Sequence, residues 1–144
     1  MVEPDTIKLL HECDAGVKMG ITSIDEVLDY VSNDKLRKIL TESEKDNQKI
    51  EEEIRTLLSE YQEEGKDPNL MAKGMSWVKT NMKLSINDSD QTVADLITEG
   101  CNMGIKSLNR YLNQYQAAED KAKDLTKRLI AAEEKLAGDI REFL

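Results

Sequence analysis

A thirteen-residue segment of this chain occurs nearly twice. Gly16–Leu28 reads GVKMGITSIDEVL and returns at Gly100–Leu112 as GCNMGIKSLNRYL, 84 positions later, with six of the thirteen residues identical. The shared Gly, Met, Gly, Ile, Ser and Leu fall three and four apart, the spacing of one helix face. An amphipathic helix cannot bury its apolar stripe alone, so two copies and their partners must close on one another. The expected fold is all-α: an antiparallel four-helix bundle built from two related hairpins, each led by the repeated helix.

The intervening sequence fits that plan. A first helix is expected from about Asp5, as its N-cap, to about Val31, and Ser32-Asn33-Asp34 then supplies a turn and a fresh N-cap. A second helix is expected over about 35–64, with Gly65 as its stop and Pro68 just beyond. Its central inward positions are Ser43 and Asn47. A crossover over 65–88 carries a short helix, about 69–84, anchored by Trp77, and Asp88 with Gln91 has capping-box spacing for the next helix. That helix is expected over about 89–113 and a last one from Ala118 to Phe143, with Glu133 and Glu134 beside its aliphatic stripe. Neither Gly nor Pro separates these two, only Asn113-Gln114-Tyr115-Gln116. The break is inferred from the repeat. Ile50, Ile54 and Leu57 return as Leu136, Ile140 and Phe143, 86 positions later, so the duplication covers a whole hairpin. One domain over 1–144 results, with hairpins 5–64 and 89–144.

Composition narrows the classes. The formal charge is −9, with acids clustered at Glu42, Glu44, Asp46 and Glu51-Glu52-Glu53, and such a surface repels phosphate backbones, so no nucleic-acid partner is expected. No apolar run is long enough to span a bilayer. Met1–Asp5 has no basic stretch leading into an apolar one, so a cytoplasmic protein is expected, with no membrane partner. The two cysteines, Cys13 and Cys101, are too few for a disulfide framework and read as buried reduced thiols. There is no phosphate loop and no Ser-His or Cys-His pair at useful spacing, so no enzyme activity and no cofactor are expected.

Asp14-Ala15-Gly16 in the first helix, Lys73-Gly74-Met75-Ser76-Trp77 in the crossover and Thr98-Glu99-Gly100-Cys101-Asn102-Met103-Gly104 in the third long helix resemble a group of small bacterial ferritin-like proteins. The resemblance covers most of the chain and implies the ferritin-like bundle with its pseudo-symmetry. The wider superfamily carries a dimetal centre made of one Glu from each of two helices and a Glu-x-x-His pair from each of the others. This chain has a single histidine, His11, which does not follow a glutamate by three. Glu44-x-x-Asn47 and Glu99-x-x-Asn102 have the spacing without the imidazole. The standard centre is therefore expected to be missing.

The repeat itself admits two readings. Gly16, Met19, Gly20 and Ser23, with Gly100, Met103, Gly104 and Ser107, are expected to pack the two leading helices closely together. Each glycine costs about 1 kcal/mol against alanine in a helix interior, so something must compensate for four. The other reading is a small cavity or groove lined by Met19, Met103, Ser23 and Ser107. Asp14, Ser43, Asp46 and Asn47 are candidates for a polar layer at the bundle centre. The expected role is action through protein contacts, with a homo-oligomer or a protein partner. The alternative is a noncanonical metal or oxidative-stress protein using Asp14, Glu44 and Glu99 with the thiols; His11 with Cys13 and Asp14 reads as a surface histidine instead.

Overall fold

A computed structural model describes residues 2–63 and 89–144. Among these residues there are four α helices and no strand: α1 (Pro4–Leu28), α2 (Asp34–Glu60), α3 (Asp90–Gln114) and α4 (Asp120–Asp139), followed by a 3-10 turn at Arg141–Phe143. They pack as a four-helix bundle, with α1 against α2, α3 and α4, and α4 against α2 and α3. The expected short helix of the crossover, with Trp77 and the Lys73–Trp77 motif, lies outside the described residues.

The helix ends differ from expectation for identifiable reasons. Pro4 opens α1 at its first position, where a missing N–H costs nothing, and Glu3 rather than Asp5 is the N-cap. α1 stops at Leu28 because Asn33 takes over as N-cap of α2, accepting from the Lys35 and Leu36 N–H groups at 2.9 and 3.1 Å. Arg37 closes the same turn by donating through Nη2 to the Val31 carbonyl at 2.5 Å. α2 ends at Glu60, ahead of Gly65: Gln62 adopts φ 59° and Glu63 N–H donates back to the Leu58 carbonyl at 2.8 Å, a Schellman-type end. For α3 the cap is Ser89, whose Oγ accepts from Thr92 N–H at 3.3 Å, one residue after the expected Asp88.

The α3–α4 break falls at Tyr115–Glu119, where the repeat places it. Its stabilisation comes from elsewhere in the chain. Ala117 N–H donates to the Asp5 carboxylate at 3.1 Å, and Glu119 N–H donates to Thr6 Oγ1 at 2.8 Å. At the α1–α2 turn, Ser32 and Asn33 N–H groups donate to the Asp90 carboxylate at 2.8 and 3.1 Å. Thr6 and Asp90 are 84 apart, and Asn33 and Glu119 are 86 apart, so Thr6–Glu119 and Asp90–Asn33 are one contact made twice. Each leading helix thus holds the turn of the other hairpin.

Side-chain packing follows in two apolar lobes. One gathers Leu9, Leu10 and Val17 of α1 with Ile50, Ile54 and Leu58 of α2, Leu108 of α3 and Leu125 and Leu129 of α4. The other holds Ile24, Val27, Leu36, Leu40, Val93, Leu96, Ile97, Leu136 and Ile140. Each fully buried Leu or Ile contributes about 1.5–3 kcal/mol. Between the lobes lies the middle of the bundle, where the repeated segments run.

Replacing Thr6 by Val or Asp90 by Ala is expected to lower stability by about 1 kcal/mol each, the usual weight of such a capping bond. Urea unfolding checks this. Unchanged midpoints in both variants would contradict the reciprocal clasp.

Candidate functional site

All eight repeat residues expected to pack α1 against α3 line a single cavity of about 230 Å³: Gly16, Met19, Gly20 and Ser23 from α1, with Gly100, Met103, Gly104 and Ser107 from α3. Ser43 and Asn47 enter from α2, and Ala132, Glu133 and Leu136 from α4. Ile24, Leu96, Ile97, Cys101 and Leu108 complete its walls toward the apolar lobes, and Glu12, Ala15 and Tyr111 also line it.

The glycines make this space by omission of side chains. A Cβ on Gly16 would meet nothing within 4 Å. A Cβ on Gly20 would touch the Asn47 side-chain amide nitrogen at 3.4 Å, and one on Gly104 would collide with the Glu133 carboxyl group. At Gly16 and Gly20 no backbone of the facing helix lies within 4 Å of that Cβ, and at Gly104 the nearest atoms are those of the Glu133 side chain, on a trailing helix. Asn47 and Glu133 are 86 apart, and Gly20 and Gly104 are 84 apart. The pairs Gly20–Asn47 and Gly104–Glu133 are therefore one arrangement repeated by the internal symmetry.

Glu133 does not stand beside the stripe of α4 as expected from the sequence. Gly104 leaves room for its carboxyl to fold inward, whereas Glu134 is exposed. The 86-residue offset applied to Asn47, already an inward position, is the signal that would have located it.

Asn47 is 6% exposed, and its Oδ1 has no hydrogen-bond partner; Glu133 Oε2 is likewise enclosed and unpartnered. Glu44 Oε2 and Thr98 Oγ1 also lack partners, but neither residue lines the cavity. A buried polar atom without a partner costs about 1–3 kcal/mol, and two of them belong to residues that line one cavity. Burial pushes the Glu133 carboxyl up from 4.5 to about 8. Burial, reinforced by the Glu133 charge, pushes the Cys101 thiol up to about 12.

The other polar candidates lie apart from one another. Asp14 is buried but pairs with Lys18 at 2.8 Å. Asp46 and Glu99 are exposed. Burial, then a hydrogen bond and charge repulsion from Asp25, raise Glu44 to about 7. Asp14, Glu44 and Glu99 thus do not converge, and among the described residues no three His, Cys, Asp or Glu side chains form a group able to hold a metal. Cys13 and Cys101 are both buried and free, in separate apolar lobes. Cys13 Sγ lies 3.1 Å from Thr126 Oγ1, and burial raises its thiol to about 11. His11 is half-buried.

No helix among the described residues is long and apolar enough to cross a membrane. Comparison with protein-family models, curated proteins and solved structures finds no match.

The Glu133 environment makes stability depend on pH. Its folded-state pKa is raised, so between 4.5 and about 8 the folded protein holds a proton that the unfolded chain has lost, and stability falls as pH rises through that window. The full effect is roughly 4–5 kcal/mol at 1.36 kcal/mol per unit. Glu44 acts with the same sign up to about 7. Glu133→Gln is expected to remove most of the decline when urea unfolding is compared at pH 5 and pH 8. An equal decline in the variant would contradict the buried position of this carboxyl.

Proposed function

We propose that this chain is a ferritin-like helical protein whose bundle centre takes a small organic ligand instead of a dimetal pair. The observation that carries the reading is the 230 Å³ cavity lined by Asn47 and Glu133, each of which keeps one enclosed polar atom, Oδ1 and Oε2, without a partner. Ligand sites are concave and mostly apolar, with a few converging polar groups. Here methionine and aliphatic walls are joined by Asn47, Glu133 and three serines, Ser23, Ser43 and Ser107.

The ferritin-like assignment rests on the duplicated hairpins and on the three sequence motifs. In that framework the trailing-helix positions that would bring imidazole and carboxylate to metals bring Asn47 and Glu133. A role through protein contacts or self-association has less behind it. The large hydrophobic side chains exposed among the described residues are Met103 and Leu144, and Met103 belongs to the cavity lining. A stable interface buries about 1,200–2,000 Å² in total, far more than two side chains offer.

An apolar cavity of about 150 Å³ holds a benzene molecule, so this one suits a ligand on the order of ten non-hydrogen atoms. Aromatic probes of that size are expected to raise the melting temperature of the protein. Gly16→Leu puts a side chain into open space and is expected to abolish that rise while keeping the fold. The same shift in wild type and Gly16→Leu would contradict binding in this cavity.

A further inference from the structure

The chemistry of the lining selects among small ligands. Two of the lining residues, Asn47 and Glu133, each hold an enclosed oxygen without a partner, and the ionised Glu133 carboxylate is acceptor-only. The charged residues on the lining are Glu12 and Glu133, with no Lys, Arg or His among the described ones. An anion would meet like charge there, and a hydrocarbon would offer nothing to the Glu133 carboxyl. A ligand bearing several N–H donors and a positive charge compensates that carboxylate.

We infer that the cavity between the glycine-bearing helices is a site for a small, mainly apolar primary amine. The ammonium group pairs with the ionised Glu133 carboxylate, and the apolar body lies against Met19, Leu96 and Leu136. This rests on the ligand-cavity reading above and names its ligand class.

The binding step conserves charge in a measurable way. With its carboxyl held near 8, Glu133 is mostly protonated at pH 7 in the empty protein. An alkylammonium carries its own proton at that pH, with a pKa of about 10.4. Pairing them requires the carboxyl to ionise, so its proton leaves to solvent. Binding at pH 7 therefore releases nearly one proton, and affinity rises about tenfold per pH unit below 8. The titratable groups sharing the cavity are Glu12 on α1 and Cys101 and Tyr111 on α3; α2 presents only Ser43 and Asn47.

Isothermal titration calorimetry with phenethylamine, propylbenzene and phenylacetate tests the assignment, run at pH 7 in two buffers of different ionisation enthalpy and repeated at pH 8. Phenethylamine is expected to bind at least tenfold more tightly than propylbenzene, with proton release at pH 7, and phenylacetate is expected to bind weakest. Glu133→Gln should lose both the preference and the proton release, whereas Glu134→Gln, at the exposed neighbouring position outside the lining, should keep both. Propylbenzene binding as tightly as the amine would overturn the amine assignment and leave the cavity reading standing. So would a preference for phenylacetate, or an amine preference that survives in Glu133→Gln. Binding of none of the three would overturn both readings.

Discussion

The bundle depends on a hydrogen-bonded clasp made twice. Thr6 at the start of α1 receives the Glu119 N–H of the second turn, and Asp90 at the start of α3 receives the Asn33 N–H of the first. Backbone donors at a turn have no helical partner, and these side chains supply one from the opposite hairpin. The clasp sets the two hairpins at a common level. As a consequence Gly16–Ser23 and Gly100–Ser107 lie at the same height in the bundle, facing the middle of α2 and α4.

At that height the structure does something unusual for a helical core. Above and below, Leu, Ile and Val fill the space in two lobes. Between them the leading helices withdraw their side chains at glycine, and the trailing helices fold Asn47 and Glu133 into the vacated room. Protein interiors are packed to near crystal density and their polar atoms are paired. A cavity lined by two residues that each keep an enclosed, unpartnered polar atom departs from both tendencies. Departures of this kind concentrate where a protein binds something, because the missing contacts are then made by the ligand. The raised pKa of Glu133 expresses the same cost: an isolated carboxylate is disfavoured there until a cation arrives.

Much of this was legible in the amino-acid order. The four long helices and their inward faces follow from period and repetition, and the eight repeat residues were expected to meet one another, as close packing of the leading helices and not as the lining of a cavity. The turn at Tyr115–Glu119 could be located only through the repeat, because its stabilising partners, Asp5 and Thr6, are more than a hundred positions away. Glu133 was hidden for a related reason. On a helical wheel it borders the apolar stripe, and only the absent side chain of Gly104, on another helix, lets it turn inward. What the glycines do could not be read from their spacing either, since close helix packing and an open cavity demand the same small residues. Even now they differ among themselves: Gly16 faces open space, while Gly20 and Gly104 each seat a polar side chain.

The central claim is that a repeated glycine on a leading helix exists to seat a polar side chain from a trailing one. A double-mutant cycle of Gly104→Ala with Glu133→Ala, read by urea unfolding, tests it most directly. In the Glu133→Ala background, Gly104→Ala should gain the helix-propensity difference of about 1 kcal/mol. In the wild-type background the new Cβ displaces the carboxyl, and the gain should vanish or reverse. A coupling of about 1 kcal/mol or more is the predicted result. Effects that add to within about 0.3 kcal/mol would contradict the account.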